Sequence, residues 1–216
     1  QRGWMGRPGI IVRSANGDTL ATNFEFQVGS GGGTSNECHV SLFDNTHHIA
    51  LAVQWKMETS GVVRVNATLT NESDEPLYVD ALRISLPLAS HANELLTLGG
   101  RHAMEAVEHR STWGRTVHTI ENRTGRTSHE NLGVVFVGTD GFREHAGEVW
   151  GVHIAWSGNY EIVCDGVSHS MRSLHIGELL TPGEVVLQPG ENYSTPPVLL
   201  AHSTQGLNSV SQKFHR

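Results

Sequence analysis

Three groups of side chains in this 216-residue sequence have the types and spacing to do chemistry. The first is a set of acid pairs: Asp74 with Glu75, Glu105 with Glu108, and Glu144 with Glu148. Paired carboxyls can supply a general acid together with a base or nucleophile. Adjacent acids on a strand point to opposite faces, and Asp74-Glu75 precedes Pro76 in a turn where both are solvated. Glu105 and Glu108 share a face only on a helix. Glu148 leads into an apolar strand, where fixing a turn suits it better than proton transfer. No catalytic residue is assigned.

The second group is the 14 histidines. His47 and His48 would face opposite sides of a strand. His169 with His175, and His102 with His109, lack a third spaced ligand, and no His-Glu-x-x-His run occurs. Cys38 and His39 offer no four-ligand zinc set. The reading is surface or hydrogen-bonded histidines, with no metal and no cofactor. The third group is the tryptophans, whose flat rings pack on apolar surfaces. Trp55, Trp150 and Trp156 lie on apolar stripes and read as core. Trp4 and Trp113 sit among glycines and arginines in expected loops, where they either receive a ligand or pack against a partner. Gly29 to Gly33 is a glycine-rich loop, but no Lys and helix follow it, so it is no phosphate cradle.

Composition limits what these groups can serve. Net charge is -7 with no Lys/Arg cluster, which disfavours nucleic acid as a partner. No apolar run approaches the ~20 residues of a spanning helix, so no membrane partner is expected. The start at Gln1 lacks an initiator Met and a signal-peptide pattern, which reads as a trimmed chain. Cys164 alternates with apolar residues and reads as a small buried hydrophobe. Two unpaired cysteines suit a reducing compartment. Sequons begin at Asn66, Asn71, Asn122 and Asn192, a number that chance accounts for.

The elements that would position these groups are strands. Ile49, Leu51, Val53, Trp55 and Met57 alternate with more polar neighbours, as do Val63, Val65, Ala67 and Leu69; each set predicts a half-buried antiparallel strand. Leu77, Val79 and Ala81 alternate, then Leu82, Ile84 and Leu86 take the opposite phase, which predicts a bulge near Ala81. Asn16-Gly17 predicts a hairpin turn, with Asp18 to Val28 as the return strand. Leu95 to Arg110 reads as extended chain, the alternative being a short helix with Ala103, Ala106 and Val107 on one face, and Val134 to Val137 as a buried strand. Trp150, Val152, Ile154 and Trp156 form one apolar stripe; Ser157-Gly158-Asn159 then predicts a hairpin into Tyr160, Ile162 and Cys164. Glycine abundance and closely spaced turn residues favour an all-β sandwich. One domain over 1–216 is expected, ending near 206–216 in the start of a linker or helix.

Several pieces, in order, resemble the N-terminal β-domain of glycoside hydrolase family 36 α-galactosidases. They are Arg7-Pro8-Gly9-Ile10 with Asn16-Gly17, Leu95-Leu96-Thr97-Leu98-Gly99-Gly100-Arg101, and Arg123 to His129. Gly147-Glu148-Val149-Trp150-Gly151 with Ser157-Gly158-Asn159-Tyr160 follows, then Pro189-Gly190-Glu191 with Thr195-Pro196, and Gly206-Leu207 with Phe214-His215. The sequence departs from the family where Glu130-Asn131-Leu132-Gly133 replaces Asn-Pro-Phe, and where Gly3-Trp4-Met5-Gly6 lacks an Asp.

The resemblance implies a large two-sheet antiparallel β-supersandwich, non-catalytic, that packs on a catalytic barrel of the same polypeptide. The whole enzyme would release terminal α-galactose from melibiose- and raffinose-type sugars with retention. Such chemistry needs two carboxyls about 5–5.5 Å apart, and the resemblance puts both on the barrel, beyond Arg216. It also implies a homo-oligomer in the bacterial cytoplasm. Trp4 and Arg7 map to the segment nearing the active-site mouth, so Trp4, Arg7 and Trp113 are the candidate carbohydrate contacts. Val210 to Phe214 is expected to be an exposed apolar patch facing the barrel. A free-standing carbohydrate-binding module is the alternative.

Overall fold

A computed structural model describes residues 6–27, 31–166 and 171–216. The first strands are β1 (Ile10–Arg13), β2 (Glu25–Phe26), β3 (Gly32–Gly33), β4 (Glu37–Asp44), β5 (Ile49–Met57) and β6 (Val63–Asn71). Next come β7 (Leu77–Leu82), β8 (Ile84–Leu88), β9 (Glu94–Arg101), β10 (Met104–Thr112), β11 (His118–Asn122) and β12 (Asn131–Gly138). The chain continues through β13 (Val149–Ile154), β14 (Tyr160–Gly166), β15 (Arg172–Glu178), β16 (Val185–Leu187), β17 (Asn192–Ser194) and β18 (Val198–Ser203). About two turns of helix after Gly206, with apolar residues at helical spacing, make α1 (Leu207–Phe214).

One long antiparallel sheet runs β10-β9-β12-β13-β18-β6-β5-β4-β2, with β17 paired to β6 and β3 to β4. Its inner face carries Leu51, Val65, Leu69, Val135, Val152 and Val198, all buried. Two smaller sheets cover that face: β1-β7-β16, and β11-β14-β15-β8. They contribute Val12, Val79, Ile162, Cys164, Leu174 and Ile176 to the same core. The expected all-β sandwich is therefore present, with its second layer divided in two. Burial pushes the Cys164 thiol up to about 12, as befits a small core hydrophobe.

The phase change after Ala81 is a bulge and a change of sheet. Ile11 faces Ala81 but Val12 faces Val79, so the register slips at Asp80. Past Arg83 the chain leaves β7 and enters β8 of the neighbouring small sheet. Leu95 to Arg110 is extended as expected, in β9 and β10, and Val134 to Val137 lie in β12. The Asn16-Gly17 turn forms, closed by Ser14 N–H donating to Asp18 O at 2.9 Å. Its return strand is only an Arg13–Thr19 bridge, because Phe26 pairs instead with β4.

Two expectations about the signature segment are corrected. Strands β13 and β14 do not form a hairpin. β13 pairs with β12 and β18 in the long sheet, whereas β14 pairs with β11 and β15 in a small one. Residues 155–159 carry the chain from one layer to the other. Trp156 lies in that crossing and is 40% exposed; it folds back over Gly158, where a Cβ would come within 2.5 Å of its Nε1. Trp150 remains on β13, half-buried against the core.

The outer face of the long sheet has its own apolar cluster, Leu96, Phe136, Val149, Ala201, Leu207 and Val210. Helix α1 lies across it. The expectation of an exposed patch at Val210 to Phe214 is corrected: Val210 is fully buried, and Phe214 packs on the cluster. Gly151 makes that approach feasible, since a Cβ there would meet Val210 Cγ1 at 2.6 Å and Phe214 Cε2 at 2.9 Å.

Two of the sequons are turn devices. Asn71 Nδ2 donates to Glu75 O and Leu187 O while its Oδ1 accepts from Ser73 Oγ. Asn122 repeats the pattern with Arg126 O, Gly158 O and Thr124 Oγ1. Both asparagines are buried.

Two stability measurements follow. Gly151→Val overpacks the helix contact and should cost about 1–3 kcal/mol in denaturant unfolding. Trp113→Ala empties a fully buried site and should cost about 3–5 kcal/mol. Trp156→Ala, at a half-open crossing, should cost clearly less than Trp113→Ala, and equal costs would contradict the layer crossing.

Candidate functional site

Residues 6–9, before β1, lie as a strap across the outer face of the sheet β11-β14-β15-β8. Arg7 N–H donates to Asp165 Oδ2 at 3.2 Å, and Arg83 N–H donates to Gly9 O at 2.7 Å. Alternation along β14 and β15 sends Ile162, Cys164, Leu174 and Ile176 inward, which turns Glu161, Asp165, Ser173 and His175 toward the strap. These polar groups are buried and must be paired to be tolerated. Arg83 Nε donates to Glu161 Oε1 at 2.6 Å. The His175 ring is held between two hydroxyls, Ser85 Oγ at 2.8 Å from Nδ1 and Ser173 Oγ at 2.8 Å from Nε2. One hydroxyl donates and one accepts, which suits a neutral imidazole. Burial pushes the His175 pKa down, opposed by Asp165 and aided by Arg83 and Arg7.

At the β8 edge of this sheet a cavity of about 740 Å³ opens between the layers. Arg7, Phe24, Trp55, Ser85 and Ser173 are among its walls. Its size and its mostly apolar lining with a few polar groups are those of a small-molecule cleft.

Trp4 lies outside the described residues. Arg7 is exposed and lines the cavity mouth. Trp113 holds the expected loop position, between β10 and β11, but its ring is turned inward rather than presented to a sugar. Trp113 is fully buried, its backbone N–H donating to Asn93 O at 2.6 Å and its ring 5.6 Å from the Arg172 guanidinium. A ring with no exposed face has none to offer a ligand. Trp55, read as core, is half-buried and walls the cavity. Sequence reasoning missed its second role because the strand's period reports which face is inward, not where that face is uncovered.

None of the acid pairs acts together. Glu105 Oε1 accepts from Ala103 N–H at 2.9 Å, whereas Glu108 pairs with Arg110 at 3.5 Å. Glu161 and Asp165 share a strand face four residues apart, about 13 Å at the strand rise. Glu148 is clasped by His91 Nε2 at 2.7 Å and His202 Nε2 at 2.8 Å. Both imidazoles tilt against Trp150, with ring centroids 5.6 and 5.2 Å away. The hydrogen bonds from His91 and then His202 hold the Glu148 pKa below its usual value. The expected turn-fixing role fits, since Glu148 N–H also donates to Thr139 Oγ1 at 3.2 Å.

The pair His102 and His109 gains no third ligand among the described residues, but His102 meets Glu105 and His129 instead. One donor atom from each of the three lies within 4.8 Å of the others. The third ligand was invisible in sequence because His129 arrives from a distant segment.

The family model described as glycosyl hydrolase family 36 N-terminal domain matches residues 1–188. The chain is 36% identical to an alpha-galactosidase of Escherichia coli over 183 residues, 85% of this chain and 26% of that protein. It is 30% identical to alpha-galactosidase AgaA of Geobacillus stearothermophilus over 161 residues, 73% of this chain and 22% of that protein. A substituted form of GH36 alpha-galactosidase AgaA, solved in complex with stachyose, superposes with a TM-score of 0.86 at 24% identity. That superposition covers 97% of this chain and 32% of the other, and it speaks to the fold. The chain spans about a quarter of the length of these curated relatives.

The buried histidine gives a pH dependence. A His whose folded pKa is depressed makes its full contribution to stability above its unfolded value, about 6.5. That contribution is lost as pH falls toward the lower folded value, because unfolding then takes up a proton. Denaturant midpoints should therefore drop between pH 7.5 and 5, and His175→Gln should flatten that slope. An unchanged slope in the variant would place the acid sensitivity elsewhere.

Proposed function

The chain belongs to the glycosyl hydrolase family 36 N-terminal domain family, and on that premise we propose that it is the non-catalytic leading domain of an α-galactosidase. The whole enzyme hydrolyses terminal α-galactosyl residues of melibiose- and raffinose-type oligosaccharides. The observation that carries this reading is the match to alpha-galactosidases of which the chain spans only about a quarter. The rest of the polypeptide then supplies the catalytic barrel and its paired carboxylates, consistent with the separate partners of the acids found here.

Two features support the domain's work as a scaffold. Strand β10 closes one end of the long sheet and is exposed over all nine residues, Met104 and Val107 among them. An uncovered edge strand is a liability that proteins manage by pairing or cover, and the barrel or a second subunit would provide it. Arg7, exposed and beside the cavity, suits a place at the rim of the active site. The free thiol of Cys38 and the buried one of Cys164 suit a reducing compartment such as the bacterial cytoplasm.

The cavity walled by Trp55 and Phe24 favours a second reading, a carbohydrate-binding module. Two measurements separate the readings. Full-length protein should turn over p-nitrophenyl α-galactoside and raffinose, and the 216-residue chain should turn over neither. Turnover by the chain alone, abolished by Glu148→Gln, would overturn the scaffold assignment. Calorimetry of the chain with galactose, melibiose and raffinose should show no binding at millimolar sugar. Binding that Trp55→Ala removes would establish the module instead.

A further inference from the structure

The meeting of His102, Glu105 and His129 follows from how three pieces of backbone are placed. His102 occupies the turn between β9 and β10, with Ala103 next to it in the left-handed region at φ 64°. Met104 pairs with Arg101 but Val107 pairs with Gly99, so Glu105 and Ala106 together oppose Gly100. This is a bulge, and Ala106 takes φ 56° within it. A bulge re-aims a side chain; here Glu105 comes round to the side of His102. His129 arrives two residues before Asn131, which pairs with Gly99 on the other side of β9. Two alanines held at positive φ, where a Cβ is unfavourable, are unusual in so short a stretch.

The donors are already near coordination distance. His102 Nδ1 is 3.9 Å and His129 Nδ1 is 3.8 Å from the same Glu105 oxygen, and the two imidazole centroids are 5.9 Å apart. Ligands of a tetrahedral ion at bond lengths of about 2.0–2.2 Å stand about 3.4 Å from one another. Three exposed side chains reach that spacing by rotamer adjustments, since their donor atoms already lie within 4.8 Å of one another. The Ala103 N–H bond to Glu105 orients the carboxylate as outer partners do in metal sites. It also holds the Glu105 pKa below its usual value.

We propose that His102, Glu105 and His129 form a surface binding site for a divalent transition metal of the zinc class. Two imidazoles and one carboxylate match the ligand preference of zinc, cobalt and nickel rather than of magnesium or calcium, which prefer all-oxygen shells. Three protein ligands leave a fourth position open to water or to a group from another molecule. This site lies at the tip of β9 and β10, away from Glu148, and does not depend on the catalytic role of the remaining polypeptide.

The test is titration of chelator-treated, full-length protein with zinc chloride by calorimetry, and with cobalt chloride followed by visible absorption. One site of micromolar affinity and a tetrahedral cobalt spectrum are expected. His129→Ala and Glu105→Gln should each weaken zinc at least about tenfold, a loss that even outer partners can cause. His91→Ala, in the other histidine cluster, should leave the affinity unchanged. Circular dichroism of each variant verifies folding. Absence of micromolar binding overturns the proposal, as does binding that survives His102→Ala with His129→Ala or that depends on His91.

Discussion

The inner face of the long sheet is the constraint on which the rest depends. Leu51, Val65, Leu69, Val135, Val152 and Val198 are buried along it, and about 25 cal/mol favours each Å² of apolar surface removed from water. No strand can bury that face alone. The chain must therefore leave the sheet, supply a second layer, and return. It leaves between β6 and β7 and again between β13 and β14, at residues 155–159, and it returns between β8 and β9 and between β16 and β17. These crossings, rather than hairpins, give the domain its architecture. They also explain why Trp156, on the same sequence stripe as Trp150, stands half-exposed at the margin.

A second layer made of small sheets has an outer face of its own, and here that face is polar. Glu161, Asp165, Ser173 and His175 are covered by the strap that includes Arg7. Burying such groups costs free energy unless each finds a partner. Arg83 for Glu161, the Arg7 backbone for Asp165, and two serine hydroxyls for His175 meet that requirement. The strap is consequently fixed in register against the sheet. Arg7 is thereby held beside the cavity bounded by Trp55.

Much of the fold was legible in the sequence. The alternation in β5, β6, β12 and β13 identified strands and their inward residues, and the phase change near Ala81 marked a real slip of register. The candidate sites were less legible. Trp113 has glycine and arginine neighbours typical of a loop, yet the loop folds inward and Arg172 closes over the ring. Trp55 reads as core by period but stands where the second layer stops. His102 has Glu105 in its own segment but finds the third group, His129, 27 residues on, because β9 lies between β10 and β12.

The sequence by itself determined the local geometry: period two for the strands, turn chemistry at Asn16-Gly17 and Ser157-Gly158-Asn159, and the helical spacing of Leu207, Val210 and Phe214. Those signals act over a few residues, so a few residues suffice to show them. Which strands pair, which apolar stripe is fully covered, and which distant side chains meet were decided by the tertiary structure. A stripe of alternating residues buries equally well against several partners, and the choice is made by the competition of all stripes for cover. Helix α1 shows the division: its apolar side was readable in sequence, but its seat depends on Gly151, whose missing side chain admits Val210 and Phe214.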